Sequence, residues 1–242
     1  VSDADTDILQ ASTLAVQKSN ELFGADQNAD GPTPGDVYEF TLEIQVSDYF
    51  TFGDLMVEDI LGDGWDYEEG SAEFFTVEEG GSLGSEGSEI SLTAVETVVE
   101  DDPESGNTRE TWDLSQAMED AGGDGLLTGD IAGDGSSSGS QTTVLITYRA
   151  EILRDFEDTG TGDQAISQGD SLENEVTVTG DVRANLSDGG DPTERTDNEV
   201  ANTSTSTVDI PRGAIESKEV FALNGDTDPP DDVVIAAGDT VT

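Results

Sequence analysis

Between Val37 and Val46 every second side chain is apolar: Tyr38, Phe40, Leu42, Ile44 and Val46 alternate with Glu39, Thr41, Glu43 and Gln45. A period of two puts the apolar set on one face of an extended strand and the polar set on the other. Neither a helix nor a solvated coil produces that order, so the segment commits the chain to sheet with one face buried. The alternation recurs over 144–152 and 172–178, and less regularly over 90–99. Clusters of Gly, Asp, Ser and Pro at 78–88, 101–107 and 122–140 read as turns and loops. The expected fold is all-β, an antiparallel β-sandwich with a long loop-rich insertion at about 78–141. One short helix is expected within that insertion. Asp113 followed by Gln116 can cap a segment running to Ala121, Gly122 and Gly123 can stop it, and it reads as the decoration of a loop.

Composition narrows what such a sandwich can do. The chain of 242 residues carries 56 acidic and 8 basic side chains, a formal charge of −48, and has neither Cys nor His. Thiol and imidazole nucleophiles, His-based acid–base pairs and the usual zinc or copper sites are therefore excluded. Any metal must be held by oxygen. So negative a field repels nucleic-acid phosphates and anionic lipid headgroups, and suits divalent cations or a salty solvent that screens self-repulsion, marine or halophilic. No apolar run is long enough to span a bilayer, so no membrane insertion by this segment is expected.

An internal repeat organises the chain. Lys18 is followed, after an Asp/Asn-rich loop, by Pro34-Gly35-Asp36-Val37-Tyr38-Glu39-Phe40. Lys218 is followed, after a similar loop, by Ala237-Gly238-Asp239-Thr240-Val241-Thr242. The reading is one complete unit over 13–211, the tail of a preceding unit or a linker at 1–12, and the opening strands of the next unit at 212–242. Strands from the two flanking segments could pair with neighbouring repeats or with other copies of the chain by strand addition, building a filament.

These are the only two lysines in the chain, and they occupy equivalent places in the two copies. Alternation turns Lys18 to the same face as Leu14 and Val16, into the sandwich. Asp59 falls in register with Leu55, Val57 and Leu61, and Asn174 with Leu172, Val176 and Val178. Burying an unpaired ammonium is costly, so an amine, a carboxyl and a carboxamide that all face inward demand an explanation. An apolar site lowers the amine pKa and raises that of the acid, so that both can be neutral. The amine of Lys18 could then attack the Asn174 carboxamide while Asp59 polarises the carbonyl and shuttles protons. The product is an isopeptide bond formed in a single autocatalytic turnover. The alternative is a buried Lys18–Asp59 ion pair with Asn174 hydrogen-bonded beside it and no covalent bond.

The order of these motifs carries a resemblance. Lys18, the Gly35-Asp36 strand opening, Asp59-Ile60-Leu61-Gly62-Asp63-Gly64 and Asn174-Glu175-Val176-Thr177-Val178 together resemble the isopeptide-forming, pilin-like immunoglobulin-fold repeats of bacterial fimbrial proteins. Surface-protein repeats of marine bacteria and haloarchaea share the outline. The resemblance implies an immunoglobulin-like sandwich at the extracellular cell surface, with Lys18, Asp59 and Asn174 as the bond-forming residues. The sequence departs from it at Gly62, where many relatives carry Pro, and in the insertion at 78–141. The expected function is a structural repeat of an adhesin, fimbria-like fibre or filament, and not an enzyme acting on a diffusing substrate. A second reading is an adhesion module that recognises a surface glycan or another cell through 78–141.

Calcium is the expected cofactor. Asp26, Asn28 and Asp30 match the first half of an oxygen-ligand calcium loop, Asp36 could complete it, and Asp226 and Asp228 lie in the equivalent loop of the second copy. Position 37, where a helix–loop–helix site needs Glu, is Val. Asn185 and Asn202 begin N-glycosylation patterns. Trp65, Tyr67, Trp112 and Tyr148 read as anchors of the core and loops.

Overall fold

The apolar faces expected from the alternation meet across a single core. The computed structural model describes residues 13–24, 31–47, 50–78, 96–102, 104–129, 141–158, 164–183 and 195–211. In chain order these form β1 (Leu14–Leu22), β2 (Val37–Val46), β3 (Thr51–Leu61), β4 (Trp65–Tyr67), β5 (Glu73–Glu78), β6 (Glu96–Asp102), β7 (Asn107–Asp113), α1 (Leu114–Asp120), β8 (Leu127–Thr128), β9 (Gln141–Ile152), β10 (Ser171–Arg183) and β11 (Arg195–Asp209). Two antiparallel sheets result, an immunoglobulin-like sandwich. The first runs β1-β2-β9-β4, with β5 also pairing β9; the second runs β11-β10-β3-β7-β6, with β8 pairing the start of β3. The inferred segments 1–12 and 212–242 lie outside the described residues.

Strand β2 occupies the span its alternation predicts, with Tyr38, Phe40, Leu42, Ile44 and Val46 buried. The core between the sheets is filled by large side chains, among them Trp65, Trp112, Tyr148, Phe40 and Phe52. Each fully buried large apolar side chain contributes roughly 1.5–3 kcal/mol relative to exposure, so a chain only 33% hydrophobic can fold by concentrating its apolar residues here. Phe23 is the one large hydrophobic exposed among the described residues, and the Arg149 guanidinium sits over its ring at 4.6 Å.

The segment 78–141 holds more regular structure than its turn-rich composition suggests. It supplies β6, β7 and β8 to the second sheet. Helix α1 is capped as expected: an Asp113 side-chain oxygen accepts the Gln116 backbone N–H at 2.9 Å, and Gly122 adopts φ 91° just beyond the last turn. It is not a loop decoration, however. Leu114, Ala117 and Met118 are buried, and Ser115 Oγ accepts the Leu55 N–H while donating to the Gly125 carbonyl, which ties the helix to β3.

Two sequence motifs prove to be structural. Thr33-Pro34-Gly35-Asp36 is a tight turn in which the Asp36 N–H donates to the Thr33 carbonyl at 3.1 Å and Gly35 takes φ 96°. Gly62 continues the contact with β10, its N–H donating to the Glu173 carbonyl at 3.0 Å. A Cβ there would stand 2.4 Å from that same oxygen, and Pro would have no N–H to donate. The local geometry thus favours glycine at this position.

Candidate functional site

Lys18 lies on β1, opposite Leu42 of β2, and its side chain is completely enclosed. The backbone beneath it is held from the other sheet. Asn202 and Ser204 of β11 take the N–H groups of Val16 and Lys18 on their side-chain oxygens, at 2.9 and 3.1 Å. A free strand edge is thereby closed without a backbone ladder. The same contact ties the carboxamide of Asn202, one of the two N-glycosylation candidates; Asn185 lies outside the described residues.

The second sheet supplies the partners of the lysine. Asp59 on β3 faces Val176 of β10, and Asn174 of β10 faces Leu61 of β3, so Asp59 and Asn174 are diagonal neighbours on adjoining strands. All three residues named from the sequence converge. Lys18 Nζ donates to both carboxylate oxygens of Asp59 at 2.6 Å and to Asn174 Oδ1. Its ammonium also stands 5.3 and 5.4 Å from the ring centroids of Phe40 and Tyr148.

Tyr148 completes the cluster. It accepts from Lys18 Nζ at 2.9 Å and from Asn174 Nδ2 at 2.6 Å, and its hydroxyl donates to Asp59 Oδ2 at 2.9 Å. This network also fixes the orientation of the Asn174 amide. As an ammonium the lysine can only donate, so the carboxamide oxygen faces Nζ and the nitrogen faces the tyrosine. Glu110 of β7 stands directly opposite Asp59 in the β3–β7 pairing and is equally buried.

Burial dominates the electrostatics. It pulls the Lys18 amine down to about 8, against the opposing attraction of Asp59 and Glu110. It pushes the Asp59 carboxyl up, with Lys18 and Tyr148 opposing the shift. It also pushes the Tyr148 hydroxyl well above its ordinary value, helped by the negative charges of Asp59 and Glu110. Amine and acid thus move toward one another, and a proton shared between them at 2.6 Å can reside on the carboxyl, leaving a neutral amine beside the Asn174 carbonyl. An amine, a carboxamide and a carboxyl are thus together, with the Lys18 and Asp59 side chains fully enclosed.

Sequence reasoning took Tyr148 for a core anchor and passed over Glu110. The signal for Tyr148 was the one that exposed Lys18: in β9 it shares a face with Val144, Ile146, Ala150 and Ile152 while bearing a polar tip. Glu110 was harder to see. Thr108, Glu110 and Trp112 make the inward face of β7, and so polar a face does not stand out from its outward neighbours.

Of the calcium candidates, Asp36 is buried, and its Oδ2 accepts the Thr33 N–H and hydroxyl at 2.8 and 2.9 Å, closing the turn that opens β2. Asp26, Asn28, Asp30, Asp226 and Asp228 lie outside the described residues. Among the described residues no group of three or more acidic side chains is placed to hold a metal ion, and no helix is long and apolar enough to cross a membrane.

No family model matches the sequence, and no curated protein matches it. Among solved structures the chain is similar to a backbone pilin of Streptococcus pyogenes, with 14% identity and a TM-score of 0.40 over 82% of this chain and 36% of the pilin. It is similar to the major pilin SpaD of Corynebacterium diphtheriae at 14% identity and a TM-score of 0.41, over 80% and 35% of the two chains. The collagen-binding domain of a Staphylococcus aureus adhesin aligns at 10% identity and a TM-score of 0.36, over 82% of this chain and all of that one. The alignment thus spans about a third of each pilin.

Proposed function

We propose that residues 13–211 are a structural unit of an extracellular surface fibre, stapled by an isopeptide bond that the chain forms between Lys18 and Asn174. The observation that carries this reading is the closed contact of Lys18, Asp59 and Asn174, contributed by three strands of two sheets. In the proposed reaction the proton of the Lys18–Asp59 pair rests on Asp59, and the neutral amine adds to Cγ of Asn174. The carboxyl of Asp59 then takes one proton from Nζ and returns one to the departing nitrogen. The Cγ–Nδ2 bond breaks, ammonia leaves, and Asp59 ends protonated as it began. Nζ passes from two hydrogens to one and Nδ2 from two to three, so the balance closes without an external reagent.

The bond would join β1 of the first sheet to β10 of the second, blocking the sliding of one sheet over the other. A covalent tie of this kind suits a spacer under tension, and the charge of −48 suits a salty medium that screens repulsion between adjoining units. The described part of segment 78–141 is largely taken up in sheet and helix, which favours a structural unit over a loop-borne recognition module.

Intact mass tests the staple. The folded chain is expected to weigh one ammonia less than its sequence, and Lys18→Ala to restore the full mass. An unshifted mass in the folded parent chain sinks the bond and leaves a buried ion pair. Electron micrographs of the full-length gene product test the fibre, with regular strings as the expected result and isolated particles as the contrary one.

A further inference from the structure

Resting on the cross-link proposed above, we infer that Tyr148 is a catalytic residue of that reaction, the relay that carries a proton from Asp59 to the departing nitrogen of Asn174. Asp59 is well placed to take a proton from Nζ, since both its oxygens lie 2.6 Å from that atom. Asn174 presents its oxygen to the lysine and turns its nitrogen away from it, toward Tyr148. The leaving nitrogen donates to Tyr148 Oη at 2.6 Å, and the same hydroxyl reaches Asp59 Oδ2 at 2.9 Å. A continuous path therefore runs from carboxyl to hydroxyl to leaving nitrogen.

The hydrogen-bonding capacity of the hydroxyl matches this task. Tyr148 has one proton and two lone pairs, and it uses all three, donating to Asp59 and accepting from Lys18 and Asn174. While Asn174 is a planar amide its nitrogen can only donate. Once Nζ has added to Cγ, that nitrogen becomes pyramidal and carries a lone pair. The hydroxyl proton then swings to Nδ2 as the Asp59 proton moves onto Oη. Tyr148 ends with one proton, Nδ2 leaves as ammonia, and Asp59 is recharged by the proton that Nζ gives up. Burial, helped by the negative charges of Asp59 and Glu110, pushes the phenol well above its ordinary value, which suits a relay that regains its proton as it passes one on. The ring is held while this happens, stacked on Phe40 at 5.2 Å and 14° and flanked by Tyr67 and Trp112.

The test follows ammonia loss by intact mass in chain freshly made by cell-free translation. Tyr148→Phe keeps the stacked ring and removes the relay; it is expected to slow the loss by about 10²-fold. Replacement of Tyr148 by 3,5-difluorotyrosine keeps ring and hydroxyl but makes a stronger acid, and is expected to change the rate by more than about two-fold. A hydroxyl that merely satisfies its neighbours would leave the difluorotyrosine rate unchanged, and that result overturns the relay. So does an unaltered rate in Tyr148→Phe. Should Tyr148→Phe fail to fold, the difluorotyrosine chain decides alone. A parent chain that never loses ammonia overturns the cross-link itself, a result distinct from a parent that reacts and variants that react equally fast.

Discussion

Strand β3 supplies the carboxylate of three cation–carboxylate contacts, and two of them could hardly differ more. Midway along the sheet, Asp59 meets Lys18 with both side chains fully enclosed. Toward the far end, past the register shift between Thr179 and Asp181, Arg183 Nη2 meets Asp54 Oδ2 at 3.0 Å. There the Arg183 side chain is 13% exposed and that of Asp54 47%. Asp54 also adopts φ 49°, a left-handed conformation that Asp tolerates better than most residues. The choice of cation follows the setting. Arginine stays charged everywhere and makes a directional surface pair, whereas a buried lysine can give up its proton and become a nucleophile. Exclusion of water thus separates a pair whose charges are fixed from one whose proton can shift between its partners.

The largest expected effect is the loss of the proposed staple. A bond between residues 18 and 174 closes a loop of 156 residues, and constraining the unfolded chain to that extent stabilises the fold by about 5 kcal/mol. Loss of one side chain from a hydrogen-bonded cluster without a covalent bond costs only about 1–3 kcal/mol. Asn174→Ala is therefore expected to lower the denaturant midpoint by an amount corresponding to the larger figure. A cost in the smaller range would place the Lys18 cluster in the same class as an ordinary buried polar contact.

How much of this was legible beforehand differs between fold and site for a physical reason. The period of two fixes which way every side chain of a strand points, so the inward turn of Lys18, Asp59 and Asn174 could be read from three short segments. Their meeting required β1 to lie across the sandwich from both β3 and β10. That is a matter of topology which alternation does not encode; the repeat and the order of the motifs implied it only through resemblance. Tyr148 and Glu110 escaped because the pattern marks a polar atom only when the residue type is polar throughout or its strand is otherwise apolar. The insertion at 78–141 misled for a related reason. Gly, Asp and Ser clusters mark where strands end but do not show that 107–113, itself largely polar, is a strand between its neighbours.

A second way to sharpen the contrast is pH, measured on Asn174→Ala, in which no bond can form. Lys18 is drawn from 10.5 down to about 8 in the folded chain. Between those values the unfolded chain binds more protons than the folded one, so stability is expected to rise with pH across that window. Asp59 is shifted the other way, above its ordinary 3.8. There the folded chain holds the extra proton, so its share of stability is expected to fall as pH climbs from about 3.8 through the raised value. Subtracting a control that also carries Lys18→Met and Asp59→Leu removes the titration of the remaining carboxylates. A difference curve that is flat from pH 4 to 10.5 would show that burial does not govern this pair.

The smallest effect belongs to the other contact. Asp54→Asn removes one charge of the Arg183 pair while keeping the shape of the side chain and its tolerance of the left-handed region. A half-exposed pair contributes about 0–1 kcal/mol, and in molar salt, where the screening length shrinks to about 3 Å, even that should fade. Chemical denaturation of the parent chain and Asp54→Asn in low and in molar salt measures the difference, expected to be small in the first and nil in the second. The Lys18 cluster, sealed from ions as from water, should show no such salt dependence in its rate of ammonia loss. A cost for Asp54→Asn that persisted in molar salt would mean that this end of β3 is as shielded as the middle, and that exposure is not what separates the two regions.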